Sequence, residues 1–488
     1  MKTIGRDFGD TARKVYAVAS GALGNGKAVI VNSDGAVSVV AEQASGVGTA
    51  VVFESGETSN VSVAFDSSNN KIIIAYKDSD NSNQGTAIVG TVDSSDNSIS
   101  FGTAVVFETG NLSEMYQIAF DSNSNRVVIA YSDGGNSNYG TAIVGTVSGT
   151  GISFGTAVVF ESAYSAYINT VFDSNSNKAV IAYQDYGDSQ KGKAVVGTVS
   201  GTSISFGSVA TFANAATGFI SSSFDSSNNK VVIAYQDDDN SNYGTAIVGT
   251  VSSTSISFGS EVVFESARTY DTSCTFDSNS NKIVIAYTDQ DSDGSNTRYG
   301  TAIVGTVSGT AISFGTAVVF QSARAEGIRA LFDSTSNKVI IGYKDAANSS
   351  KPTAIVGTVS GTSISFGSEV LLVDAGMSGT VGGVFDSNSN RIVFAYKKSD
   401  DTGNSVVYAP VATTNLTSEN FIGFTPSAYP DGAGAEIQTK GAVNEEQSGL
   451  TAGQSYFVQT DGTLGTTAGD PSVFAGTAVS ATKIIVKG

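Results

Sequence analysis

Histidine is absent from the 488 residues, and so is tryptophan. Without histidine there is no Ser-His-Asp triad, no His-ligated zinc or iron, and no ordinary general base near neutrality. Enzymology is left to carboxylates, Tyr, Lys and Ser. There is one cysteine, Cys274, so no intramolecular disulfide can form. Within the strand-like "TSCTFD" it reads as a small buried residue rather than a reactive thiol. Positive charge is also scarce: 26 Lys and Arg face 45 Asp and Glu, for a net charge of −19 and a pI near 4.3. A nucleic-acid partner would be repelled. The scattered Lys and Arg form no basic run for an anionic membrane, and divalent cations fit the acidity better. No apolar run approaches ~18 residues, so no membrane insertion is expected. The start, "MKTIGRDFGDTARKVYAVASGALG", carries Asp7 and Asp10 where a secretory signal would be basic and then apolar.

Only 5 prolines stand beside 55 glycines, and Val, Ile, Tyr and Phe fill the segments between polar turns. That mixture predicts an all-β protein. The phrase "FDSNSNKIVIAY" or a variant begins at Phe65, Phe120, Phe172, Phe224, Phe276, Phe332 and Phe385. Successive copies lie 55, 52, 52, 52, 56 and 53 residues apart, a period expected of a propeller or a large-unit array. Within a copy, "SCTFD" turns at "DSNSNK" into "KIVIAYTD". A longer loop leads to "TAIVGTVS", and a tight "SGT" turn to "AISFGTAVVF". Four antiparallel strands per copy predict a seven-bladed β-propeller, with a linear array of hairpins as the alternative. The third strand type occurs seven times, but "SISFGTAVVFE" follows only six of them. The missing outer strand stands at the other end, in "VGTAVVFE" (47–54), so one blade is expected to be completed from both chain ends, shutting the ring.

This reading divides the chain into an N-terminal β segment (1–44), the propeller (45–411) and a C-terminal β domain (412–488). The flanks resemble each other: "LGNGKAVIVNSDG" (23–35) aligns without a gap to "LTAGQSYFVQTDG" (450–462). Together they are expected to form one small β domain interrupted by the repeats. The tail "GLTAGQSYFVQTDGTLGTTAGDPSVFAGTAVSATKIIVKG" (449–488) is similar to modules of structural proteins of tailed bacteriophages, especially marine ones. Repeats such as "GTAIVGTVSSTSISFG" (244–259) resemble those of phage tail-fibre or virion-surface proteins. The resemblance implies a non-enzymatic virion component assembled in the host cytoplasm, a tail fibre, receptor-binding tip or capsid decoration. It would sit as a homo-oligomer among other virion proteins and meet host-surface polysaccharide.

Candidate site residues come from comparing the copies with one another. The turns "DSNSNK", "DSSNNK" and "SGTS" barely vary. The connections between copies do: "ETGNLSEMYQ", "ESAYSAYIN", "ANAATGFIS", "ESARTYDTS", "QSARAEGIR". Binding concentrates in varied loops on a constant scaffold. Those connections carry Met115, Tyr116, Tyr164, Tyr167, Phe219, Arg268, Tyr270, Arg324 and Arg329. The aromatic rings can stack on sugars, and the arginines can pair with a carboxylate of an acidic glycan. No cofactor is required, but Asp289, Asp291 and Asp293 have the D-x-D-x-D-G spacing that suits Ca2+. Gly300 replaces the glutamate of an EF-hand, so an acidic hairpin is the other reading. A bacterial lectin or adhesin is the alternative function, and a glycan-cleaving enzyme the third. The arginines faintly resemble the cluster of sialidases, but the Asp-box of that family needs a tryptophan.

Overall fold

The computed structural model describes residues 13–32, 34–43, 45–290, 298–410, 413–414, 416–469 and 471–487, without the side chains of 42, 43, 413 and 414. The chain separates into two compact bodies, one of residues 46–410 and one of 1–45 with 411–488.

In the repeat body each copy of "FDSNSNK" is a hairpin turn built on a buried aspartate. Asp277 Oδ1 accepts the N–H of Asn279 at 2.9 Å and of Ser280 at 3.0 Å, and Ser280 Oγ donates to Oδ2 at 2.7 Å. Asn281 closes the turn at φ 54°, in the left-handed region that Asn tolerates. Equivalent bonds recur at Asp66, Asp121, Asp173, Asp225, Asp333 and Asp386. The next strand, such as Lys230–Asp237, is buried on both faces because neighbouring repeats cover it. Its tyrosine is fully buried in all seven copies. In the third copy Tyr183 Oη donates to Glu161 at 2.9 Å, and its ring meets Phe160 at 5.1 Å. Phe160 lies over Gly140, where a Cβ would come within 2.4 Å of the ring. The recurring "YG" and "VVFE" are thus two halves of one contact.

The predicted seven-bladed propeller is corrected here: among the described residues none of the sheets is closed into a barrel or propeller. The molecule is an all-β protein with several sheets, and the largest runs through 22 strands from Leu112–Glu114 to Val370–Leu371 with no pairing of first to last. The reason lies in the strands that link repeats. Val158–Asp173 is one 16-residue strand: its first half pairs with Tyr139–Ser148 of one repeat, its second with Lys178–Asp185 of the next. Ala210–Asp225, Val262–Asp277 and Val318–Asp333 do the same. The ladder therefore passes from repeat to repeat, and separate blades are not what the hydrogen bonds define. The period counts hairpins and carries no information on sheet closure.

The two ends of the array are nevertheless in contact. Gly46–Val47 and Val51–Glu54 pair with Gly403–Ala409, with Val47 opposite Tyr408 and Val51 opposite Ser405. Val61, Val63 and Ile74 of the first repeat share a hydrophobic cluster with Val393, Ala395 and Val407 of the seventh. Arg391, 1% exposed, donates to Asn97 Oδ1 and to Ser94 O (2.9 Å) across the same junction.

The flanking body holds two five-stranded sheets of one design. In the first, Lys14–Val18, Gly434–Gln438, Phe421–Phe424, Ala28–Val31 and Val37–Val39 lie side by side in that order. In the second the order is Val443–Asn444, Lys483–Val486, Val473–Ser480, Ser455–Val458, Leu464–Gly465. Matching strands follow one another in the same chain order. Gly35 donates to Asn32 O and Gly462 to Gln459 O, at φ 82° and 80°. The body is a tandem duplication, and the repeats are inserted between the third and fourth strands of its first copy. Both sheets contribute to a common core that includes Ile30, Phe424, Tyr456 and Ile484.

Candidate functional site

The first strand of each repeat converges with its neighbours, and there the ladder gives way to side-chain bridges. Ser62 Oγ accepts from Ile118 N at 3.0 Å, Ser221 Oγ from Cys274 N at 3.0 Å, and Ser273 Oγ from Ala330 N at 2.9 Å. Just before these serines the strand bulges. The register shifts between Ser59 and Ser62, Ala166 and Asn169, Gly218 and Ser221, Tyr270 and Ser273, and Glu326 and Arg329. A bulge re-aims the side chains it carries. One residue of each takes a left-handed φ: Asn60 51°, Tyr167 49°, Phe219 47°, Asp271 48° and Gly327 60°. For Tyr and Phe that conformation costs about 1–2 kcal/mol, so the surrounding contacts hold it in place.

A cavity of about 60 Å³ lies at this convergence, and all seven repeats line it. The first three contribute Val61, Tyr116 and Asn169; the others Phe219, Asp271, Arg329 and Val381. Beside it is a cleft of about 350 Å³ formed by Tyr270, Arg298, Glu326 and Lys344, which shares Phe219, Asp271 and Thr380 with the cavity.

Four predicted residues form a single row: Tyr116 to Tyr167 at 5.5 Å, Tyr167 to Phe219 at 5.3 Å, and Phe219 to Tyr270 at 5.5 Å between ring centroids. Tyr116 keeps 37% of its surface exposed. Arg268 lies 4.9 Å from the Tyr270 ring, in a cation–π contact. Tyr164 stands apart from the row, stacked on Tyr186 at 4.3 Å. Arg324 is an exposed partner of Glu326. Met115 does not reach the site and is 2% exposed in the core. Of the three aspartates with calcium spacing, Asp291 and Asp293 lie outside the described residues, and Asp289 lies within the strand Lys282–Gln290, opposite Tyr299. Among the described residues no group of three or more His, Cys, Asp or Glu is placed to hold a metal.

Arg298, Asp271, Glu326, Lys344 and Gln117 were not singled out from the sequence. Arg298 lies 4.7 Å from the Tyr270 ring and pairs with Glu326 at 3.0 Å, and Lys344 meets Glu326 at 2.8 Å. Burial would raise the Glu326 carboxyl, but Lys344 and Arg324 hold it below its ordinary range. Asp271 goes the other way: burial pushes its carboxyl up, against the 2.8 Å bond it accepts from Gly327 N. Of these, Asp271 alone had a signal in the sequence: it stands five residues before the repeat phenylalanine, where Asn60 and Gly327 of two other copies are also residue types that tolerate positive φ.

Compared with known families and curated proteins, the chain matches no family model and no curated protein.

Proposed function

We propose that the chain is a non-enzymatic binding protein whose diversified end takes a glycan. The observation that carries this reading is the row Tyr116–Tyr167–Phe219–Tyr270 beside a cleft rimmed by Arg298, Glu326 and Lys344. Rings offer apolar faces to a sugar at little entropic cost, and the charged groups next to them supply donors and acceptors for hydroxyls. Two of the four rings, Tyr167 and Phe219, are held in a conformation their residue types disfavour, which is understandable where ring placement matters more than local stability. The resemblance of the tail to phage modules supports a particle surface as the setting and host polysaccharide as the ligand. Beside the cleft, Glu326 is engaged in ion pairs and Asp271 in a backbone bond.

The test is an array of bacterial surface polysaccharides probed with the full chain, with a parallel search for cleavage products. Binding that falls at least about tenfold in Phe219→Ala, without product release, is expected. No binding to any polysaccharide, or binding indifferent to Phe219, would sink the reading.

A further inference from the structure

At the convergence stands the half-buried Arg329, which lines the cavity. Its Nη1 donates to Gln117 Oε1 at 2.9 Å and its Nε to Gly383 O at 3.3 Å. A guanidinium has five N–H donors, so three remain, and among the described residues no carboxylate pairs with Arg329. The other charges nearby are accounted for differently. Glu326 is taken by Arg298, Arg324 and Lys344. Asp271 gives an oxygen to Gly327 N, and the cations that act on it are Lys344 and Arg298. Burial without a counter-charge weakens the hold of Arg329 on its proton, down to about 10, which still leaves it cationic at neutral pH. A cation shielded from water and without a counter-charge is stabilised when an anion joins it, and Arg329 borders a cavity with room for a small one.

We infer that the Arg329 cavity is a seat for a single carboxylate group, presented by an acidic sugar whose ring occupies the adjoining cleft. The dimensions agree. The cavity of about 60 Å³ has room for a carboxylate, and the cleft of about 350 Å³ for a monosaccharide unit. Phe219, Asp271 and Thr380 line both spaces, so one ligand can span them. The free N–H groups of Arg329 supply the fork that a carboxylate matches with two parallel hydrogen bonds. Tyr116, whose hydroxyl burial keeps protonated, lines the same cavity as a further donor. The inference rests on the glycan-binding reading for the sugar ring, but not for the carboxylate.

Calorimetric titration of the full chain with acetate, acetamide, glucuronate and glucose separates the two. Saturable binding of acetate and glucuronate, competing for one site and not displaced by acetamide, is expected. In Arg329→Gln that binding should weaken at least about tenfold, while Lys440→Gln, an exposed change in the flanking body, leaves it intact. Should Arg329→Gln fail to fold, Arg329→Lys keeps the cation without the fork and should lose most of the affinity. Acetate binding without any polysaccharide binding upholds the carboxylate seat and removes the glycan reading. Neutral glycan binding without acetate or glucuronate binding does the reverse. Acetate binding that is unchanged in both Arg329 variants also overturns the inference.

Discussion

The first strand of every repeat has two ends only a few residues apart, and they follow opposite rules. At one end stands the buried aspartate of the turn, the same residue in all seven copies because each makes the same bonds to its own hairpin. At the other, five residues before the repeat phenylalanine, stand Asn60, Met115, Tyr167, Phe219, Asp271, Gly327 and Thr380. There each strand meets its neighbours, so each copy faces a different partner. A local contact can be copied with its repeat. A contact at a shared centre cannot, and its residues are free to specialise.

Mutation should separate the two ends. The largest effect is expected at the copied contacts: Phe160→Ala, which empties the seat over Gly140, should cost about 3–5 kcal/mol in denaturant unfolding. Equal losses at Phe160 and Phe219 would contradict the distinction between scaffold and site. Arg391→Met should cost about 3 kcal/mol, because the carbonyl of Ser94 and the amide of Asn97 lose their partner across the first and seventh repeats. A loss below about 1 kcal/mol would mean that the hydrophobic cluster alone joins the ends. Asp277→Ala should cost about 2 kcal/mol through the three turn bonds, and Asp225→Ala should match it if the turns are equivalent.

The smallest change is expected at the centre and depends on pH. Asp271 has its folded pKa raised by burial, so its ionised form is disfavoured in the folded chain. The penalty is absent below the ordinary Asp range, grows as pH rises toward the folded pKa, and is complete above it. Asp271→Asn should therefore raise Tm at pH 7, with the gain shrinking to nothing as pH falls below about 4. A variant less stable than wild type at pH 7 would show that Lys344 and Arg298 depend on the charge of Asp271.

The hairpins, the aspartate turns and the direction of diversity were legible in the residues, since each is a local matter of alternation, Asx chemistry and comparison between copies. Tyr116, Tyr167, Phe219 and Tyr270 could be named for the same reason. Arg329 could be named as an arginine, but not as a half-buried one without a carboxylate partner, because its surroundings depend on seven repeats meeting. Arg298 and Lys344 lie outside the diversified connections and entered the site through Glu326 and the Tyr270 ring. The likeness of the flanks was visible in one alignment, but Lys14–Val18 and Val443–Asn444 share too little sequence to disclose a whole duplicated module.

Local chemistry along the chain defines the unit: an antiparallel hairpin pair with a capped turn, repeated seven times at a period near 52 residues. Backbone dihedrals and side chains a few positions apart are sufficient for that. How hydrogen bonds pass between units was decided only in the tertiary structure. The strand Val158–Asp173 serves two repeats at once, so the ladder continues where separate blades were expected. The left-handed bulges at Tyr167 and Phe219 were decided there too. Neither residue favours that conformation on its own, and the crowding of converging strands imposes it.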